Sequence, residues 1–192
     1  LVGSEMCIRD RIMSGNNRSG YFYNPEVLRD QTKLDAILES RRFSLDNIYA
    51  SLATYKTMKK ATLDHILTVN ALAVDADFTI YPGQEDISTD EARKALEMAI
   101  LNGFPEPSYI EYSRNMRLVY VLDHPYIIPK NKKKAESCRS FLKRVTKCLC
   151  DNLNSHTDII NFHAEPQRLT SFIRIPYSVN KRSYGHYDYD RE

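Results

Sequence analysis

The residues best placed for chemistry lie in ALAVDAD, at positions 71–77. Along a strand, residues two apart point to the same side, about 6.5–7 Å apart at the backbone. Asp75 and Asp77 would therefore project together from the end of an apolar strand. Two carboxylates side by side in a partly dry setting are costly unless a cation neutralises them. Oxygen donors on a rigid strand suit Mg²⁺ or Mn²⁺. A pair of such ions about 3.5–4 Å apart can clamp the attacking and leaving oxygens of a phosphoryl transfer. A solvated strand-end pair has the same sequence, because D-x-D is common. A calcium-binding loop is excluded, since Ile80 stands where the turn glycine would be.

Two further stretches offer phosphate donors. In YSRNMRLVYVL, residues 112–122, a tight link carries Arg114, Asn115 and Arg117 beside a hairpin. Guanidinium groups there can hold a triphosphate by bidentate contacts, although an exposed polar turn reads the same way. In RIPYSVNKR, residues 174–182, Arg174, Asn180, Lys181 and Arg182 follow directly on a strand. That order suits phosphate or nucleic-acid contact, and equally a solvated loop.

The elements that must position these groups follow from periodicity. Residues 25–43 read as a helix with a stripe of Val27, Leu28, Leu34, Ile37 and Leu38. NIYASLATY reads as one strand, ATLDHILTV as a short connection and NALAVDAD as a buried strand. STDEARKALEMAILNG is the clearest helix: Ser88 and Glu91 form a capping box, and Gly103 provides a stop reinforced by Pro105 and Pro107. PSYIEYS and RLVYVLD read as a hairpin. KKKAESCRSFLKRVTKCLCDNL reads as a basic amphipathic helix packing through Phe141, Leu142, Val145, Cys148 and Leu149. HTDIINFHAE reads as irregular, and SFIRIP as a strand ending at Pro176. Strands alternating with helices imply an α/β sheet with helices on one face.

Composition narrows the class further. The net charge of +2 decides nothing about nucleic acid by itself. Its distribution is uneven, with KNKKK at 130–134 and QEDISTDE at 84–91. No apolar run approaches a membrane span, so no membrane partner is expected. Residues 1–11 lack periodicity and targeting logic. Gly3–Asp10, back-translated as GGC TCG GAG ATG TGT ATA AGA GAC, resembles a transposon-end sequencing adapter read as protein. They are set aside, residues 12–24 read as a flexible lead-in, and 25–192 as one domain whose C-terminal side may be cut short. Setting them aside removes Cys7 and leaves Cys138, Cys148 and Cys150. An odd set without paired CxxC spacing reads as reduced thiols in a cytoplasm.

Taken together, the order and spacing of these segments resemble the archaeo-eukaryotic primase superfamily, in particular the primase-like Rep proteins of bacterial plasmids and phages. The resemblance runs from about residue 47 to 183. NIYASLATYKTMKK followed by LTVNALAVDAD is similar to the family's approach to its DxD motif. PSYIEYSRNMRLVYVL is similar to the second motif, and SFIRIPYSVNKRS to the arginine-leucine-proline-glycine-threonine-x-asparagine segment. The resemblance implies an α+β, RRM-like primase core with a mostly antiparallel or mixed sheet flanked by helices. It implies a nucleotidyltransferase in plasmid or phage DNA replication, using Mg²⁺ or Mn²⁺, nucleoside triphosphates and a single-stranded DNA template, with a replicative helicase as a further partner. Asp75 and Asp77 match the family's metal-binding aspartates, and His163 falls where a third metal-binding acid stands, with Glu165 and Asp158 nearby. Arg114 and Arg117 would grip phosphates; Arg174, Asn180 and Lys181 would touch nucleotide or template. This chain departs from the pattern in four places, the first being His163 in place of the third-motif aspartate. Ser113 and Asn115 replace glycines, Arg117 stands for histidine or glutamine, and Tyr177 and Ser178 replace glycine and threonine. Those departures motivate an alternative: a Rep module that binds single-stranded or origin DNA without chemistry. A metal-dependent nuclease using the same aspartates is a third reading.

Overall fold

Short runs of apolar and β-branched residues become strands throughout the computed structural model. It describes residues 10–14, 21–23, 32–33, 36, 48–56, 62–78, 89–112, 115–156 and 162–174. In chain order the elements are β1 (Asp10–Ser14), β2 (Tyr21–Tyr23), β3 (Ile48–Ser51), β4 (Ala53–Tyr55), a 3-10 turn (Leu63–His65) and β5 (Ile66–Phe78). There follow α1 (Thr89–Leu101), β6 (Tyr109–Tyr112), β7 (Met116–Ile127), α2 (Lys132–Ser155), β8 (Phe162–Pro166) and β9 (Phe172–Arg174). The fold is α+β, with antiparallel pairing at β1–β2, β1–β3, β3–β9, β5–β8 and β6–β7. The chain expected to form one domain divides into two compact units, 1–68 with 170–192, and 69–169.

The first unit holds a four-stranded sheet in the order β2-β1-β3-β9. Asp10 and Arg11, set aside with the adapter-like residues, pair with Tyr23 and Phe22. The lead-in at 12–24 thus contains paired strands, because its aromatic and β-branched residues suit a pleated backbone. The single strand expected over NIYASLATY breaks at Leu52, whose N–H donates to the Ser171 carbonyl at 3.2 Å. Of the helix read over 25–43, Thr32, Lys33 and Ala36 are helical and the rest lies outside the described residues.

A second sheet runs β4-β5-β7-β6, with β8 also paired to β5. β5 begins earlier than its NALAVDAD core suggested, because ILTV contains nothing to stop a strand; only the 3-10 turn precedes it. In the second unit α1 and α2 pack against one side of this sheet. Val74 and Ala76 of β5, Met116 and Leu118 of β7, and Phe162 and Ala164 of β8 meet Ala92, Ala95, Leu96 and Ala99 of α1 and Cys150 and Leu153 of α2. Strand alternation sends the residues between them to the other side.

Both helices are terminated by legible chemistry. Gly103 adopts φ +97°, and its N–H donates to Ile100 O while Phe104 N–H donates to Ala99 O at 2.9 Å. This Schellman closure places Phe104 in the core. Ser88, half of the expected capping box, lies outside the described residues. At the start of α2, the Asn131 side chain accepts from Lys134 N–H at 3.1 Å.

The packed face of α2 differs from expectation. It is Ala135, Arg139, Leu142, Thr146, Cys150 and Leu153, whereas Phe141 and Cys148 are exposed. Two polar residues sit on the buried stripe because each finds a partner. Thr146 Oγ1 donates to Leu142 O at 3.0 Å, and Arg139 pairs with Glu136 at 3.1 Å. Cys138, Cys148 and Cys150 all lie on α2 as free thiols. Burial pushes the Cys150 thiol up to about 11, which leaves it protonated and inert. Among the described residues no helix is long and apolar enough to cross a membrane.

Candidate functional site

The far end of β5 is positioned by β8. Asp75 lies opposite Glu165, and Asp77 opposite His163. HTDIINFHAE, expected to be irregular, therefore ends in a strand. Its FHAEP alternation buries Phe162 and Ala164 and turns His163 and Glu165 outward. The outer edge of β8 is held by Asn154 of α2. Its Oδ1 accepts from Ala164 N–H at 2.7 Å, and its Nδ2 donates to Ala164 O at 3.2 Å. One amide side chain thus supplies both bonds that a neighbouring strand would make.

On the other flank, Arg117 sits between the core residues Met116 and Leu118, so its side chain leaves on the aspartate side of the sheet. The β6–β7 hairpin sets Glu111 directly opposite it. Arg117 Nη1 meets Glu111 Oε2 at 3.2 Å, and Nη2 meets Asp75 Oδ2 at 3.6 Å. Gln167 Nε2 donates to the same Asp75 oxygen at 2.8 Å, and Gln167 is itself fixed by its N–H to Ala73 O at 3.0 Å. Asp75 is therefore neutralised and oriented. The side of the sheet opposite α1 and α2 carries the row His163 and Glu165, Asp77 and Asp75, Arg117, Glu111.

Asp77 has a different environment. Burial is the largest influence raising its pKa; the negative charges of Asp75 and Glu165 raise it further, and His163 opposes them. Its Oδ1 is buried with no hydrogen-bond partner among the described residues, and Arg117 Nε is the same. His163 Nε2 stands 3.7 Å from Glu165 Oε1, both side chains largely exposed. Burial, then Glu111, pushes Tyr109 up to about 12. Among the described residues, Asp75, Asp77, Glu111 and Glu165 thus share the face with Arg117 and His163.

This donor set fits a hard divalent cation in chemistry. It offers carboxylate oxygens in excess negative charge and one buried oxygen lacking a partner. Among the described residues, however, no three histidine, cysteine, aspartate or glutamate side chains form a metal-holding cluster. Asp75, Asp77, His163 and Arg117 do come onto one face. Arg174 lies on β9, where its backbone pairs with Tyr49 in the first unit. The side chain of Arg174, and Arg114, Asn180 and Lys181 entirely, lie outside the described residues. Glu111 and Gln167 were missed from sequence. The signal for Glu111 was the symmetry of the hairpin about its tight link, which puts residue 111 opposite 117. Gln167 had none, since its reach to Asp75 depends on β8 pairing with β5. No protein-family model, curated protein or solved structure matches this chain.

Proposed function

We propose that this carboxylate face is the divalent-cation site of a primase-like nucleotidyltransferase acting in plasmid or phage DNA replication in the cytoplasm. The observation that carries the reading is Asp77. Its buried oxygen lacks a partner, and burial and neighbouring negative charge hold its pKa up, a tension that a cation relieves. Asp77 and Asp75 would hold Mg²⁺ or Mn²⁺, with His163 a further donor opposite Asp77 in the strand pair. When bound, the ion would neutralise a nucleoside triphosphate and acidify the primer 3′ hydroxyl. The new bond joins that oxygen to the α-phosphorus, and the bond to pyrophosphate breaks. Arg117, held between Glu111 and Asp75, is placed to turn toward phosphate oxygens once a cation takes over Asp75. Single-stranded DNA is the template and a replicative helicase the expected partner. A template-dependent primer assay with Mn²⁺ tests this. Product from the wild type and none from Asp75→Ala/Asp77→Ala supports it; no wild-type product, or full product from the double variant, overturns it.

A second reading, a module that binds DNA without chemistry, is favoured by two specific observations. Asp75 already has Arg117 and Gln167 as partners, and no three-ligand cluster is formed among the described residues. It predicts DNA binding that is indifferent to both aspartates.

A further inference from the structure

The opposite side of the same sheet carries a different surface. Tyr126 of β7 stacks on Phe141 of α2, with ring centroids 6.2 Å apart and planes 29° from parallel. Cys138, also on α2, neighbours the Tyr126 hydroxyl and raises its pKa. The stacking ties β7 to α2, yet Phe141 remains 45% exposed. A large ring that the core did not take, fixed in place and open to solvent, is an available stacking platform.

The pair lies within a cationic helix surface. On α2, Arg139 is engaged by Glu136 and Lys147 by Asp151. Lys132, Lys133, Lys134, Lys143 and Arg144 are exposed and have no ion pair among the described residues. Helical spacing puts Lys134, Phe141 and Arg144 on one stripe, with Lys134 roughly 10 Å of helix rise before Phe141. Cations thus flank the rings on both sides. Helix stability does not account for the first group. Three lysines occupy the first turn with no acid in that turn, at the end of the helix where its dipole disfavours positive charge. A ligand with regularly spaced negative charges and flat π-faces between them answers both features. Lipid headgroups supply the charge without the faces, and duplex DNA keeps its faces stacked inside.

We infer that the Tyr126–Phe141 pair and the flanking first-turn Lys132–Lys134 and Arg144 form a binding track for single-stranded nucleic acid, separate from the carboxylate face. The inference shares the ligand class of the proposed function but needs no metal and no catalysis. Stacking on such a ring is sequence-tolerant, and the phosphates set the salt dependence.

The experiment is fluorescence anisotropy of the full chain with a labelled oligothymidine in EDTA, over a salt series, so that loss of nucleotidyl transfer cannot affect it. Phe141→Ala should weaken binding about ten-fold with the salt slope unchanged, and Phe141→Trp should restore it. Lys132→Glu/Lys133→Glu/Lys134→Glu should reduce the salt slope by about 2. Circular dichroism melts should show all three variants folded, as expected for residues outside the packed face. Wild-type affinity in Phe141→Ala, an unchanged slope in the triple variant, or equal sensitivity to Phe141→Ala with duplex DNA or anionic phosphatidylserine vesicles would each overturn the inference.

Discussion

Asp77 concentrates the physical tension of the site. Its folded pKa is raised above the ordinary 3.8, first by burial and then by Asp75 and Glu165. Stability drawn from the protonated form is therefore complete below 3.8 and lost as pH climbs through the raised value. Asp77→Asn keeps the shape and removes the charge, so it should raise the melting temperature at pH 7 and leave it unchanged near pH 3. Thermal melts of both proteins across that range check this; parallel profiles would contradict it. Arg117 behaves oppositely. Arg117→Ala removes the cation shared by Asp75 and Glu111 and should lower the melting temperature at pH 7, as a thermal melt would show. At this scale the sequence was informative where chemistry is local. The Asp75–x–Asp77 spacing predicted a shared face from strand geometry alone. Gln167 and Glu165 became neighbours of those aspartates only through a pairing between segments far apart in the chain, which no local pattern encodes.

At the scale of elements, terminators and alternation were legible, while the fine rotation of α2 was not. Gly103 announced the end of α1, and its φ of +97° bears that out. A Cβ there would meet nothing within 4 Å, so the penalty for Gly103→Ala is conformational alone, about 1 kcal/mol. For α2, counting only apolar residues chose a stripe through Phe141 and Cys148. The actual stripe passes through Arg139 and Thr146, whose polar atoms are satisfied locally. FHAEP was passed over as a strand because it is short and half polar, and because Asn154 provides its outer edge from a helix. Asn154→Ala would leave the Ala164 N–H and carbonyl without those bonds, costing about 1–3 kcal/mol. The melting temperature should fall accordingly, roughly 2–4 °C for each kcal/mol. Asn154→Asp, which can still accept but not donate, should fall between.

Over the whole chain, sequence patterning conveyed the α+β class and the helices on one face of the sheet, but not the division into two units. That division arises because β9 returns to pair with β3, a pairing that local periodicity cannot reveal. The second unit has a continuous chain and its own core, so residues 62–169, which keep β5 intact, should give a single cooperative thermal transition when produced alone. The carboxylate face lies wholly within 69–169, which makes its chemistry a property of that unit. Calorimetric titration of Mn²⁺ into the full chain at pH 7 tests the central claim most directly. Saturable binding in the wild type, abolished in Asp75→Ala/Asp77→Ala while both proteins remain folded, is the predicted result. Absent wild-type binding, or binding undiminished in the double variant, would contradict a cation site at these aspartates.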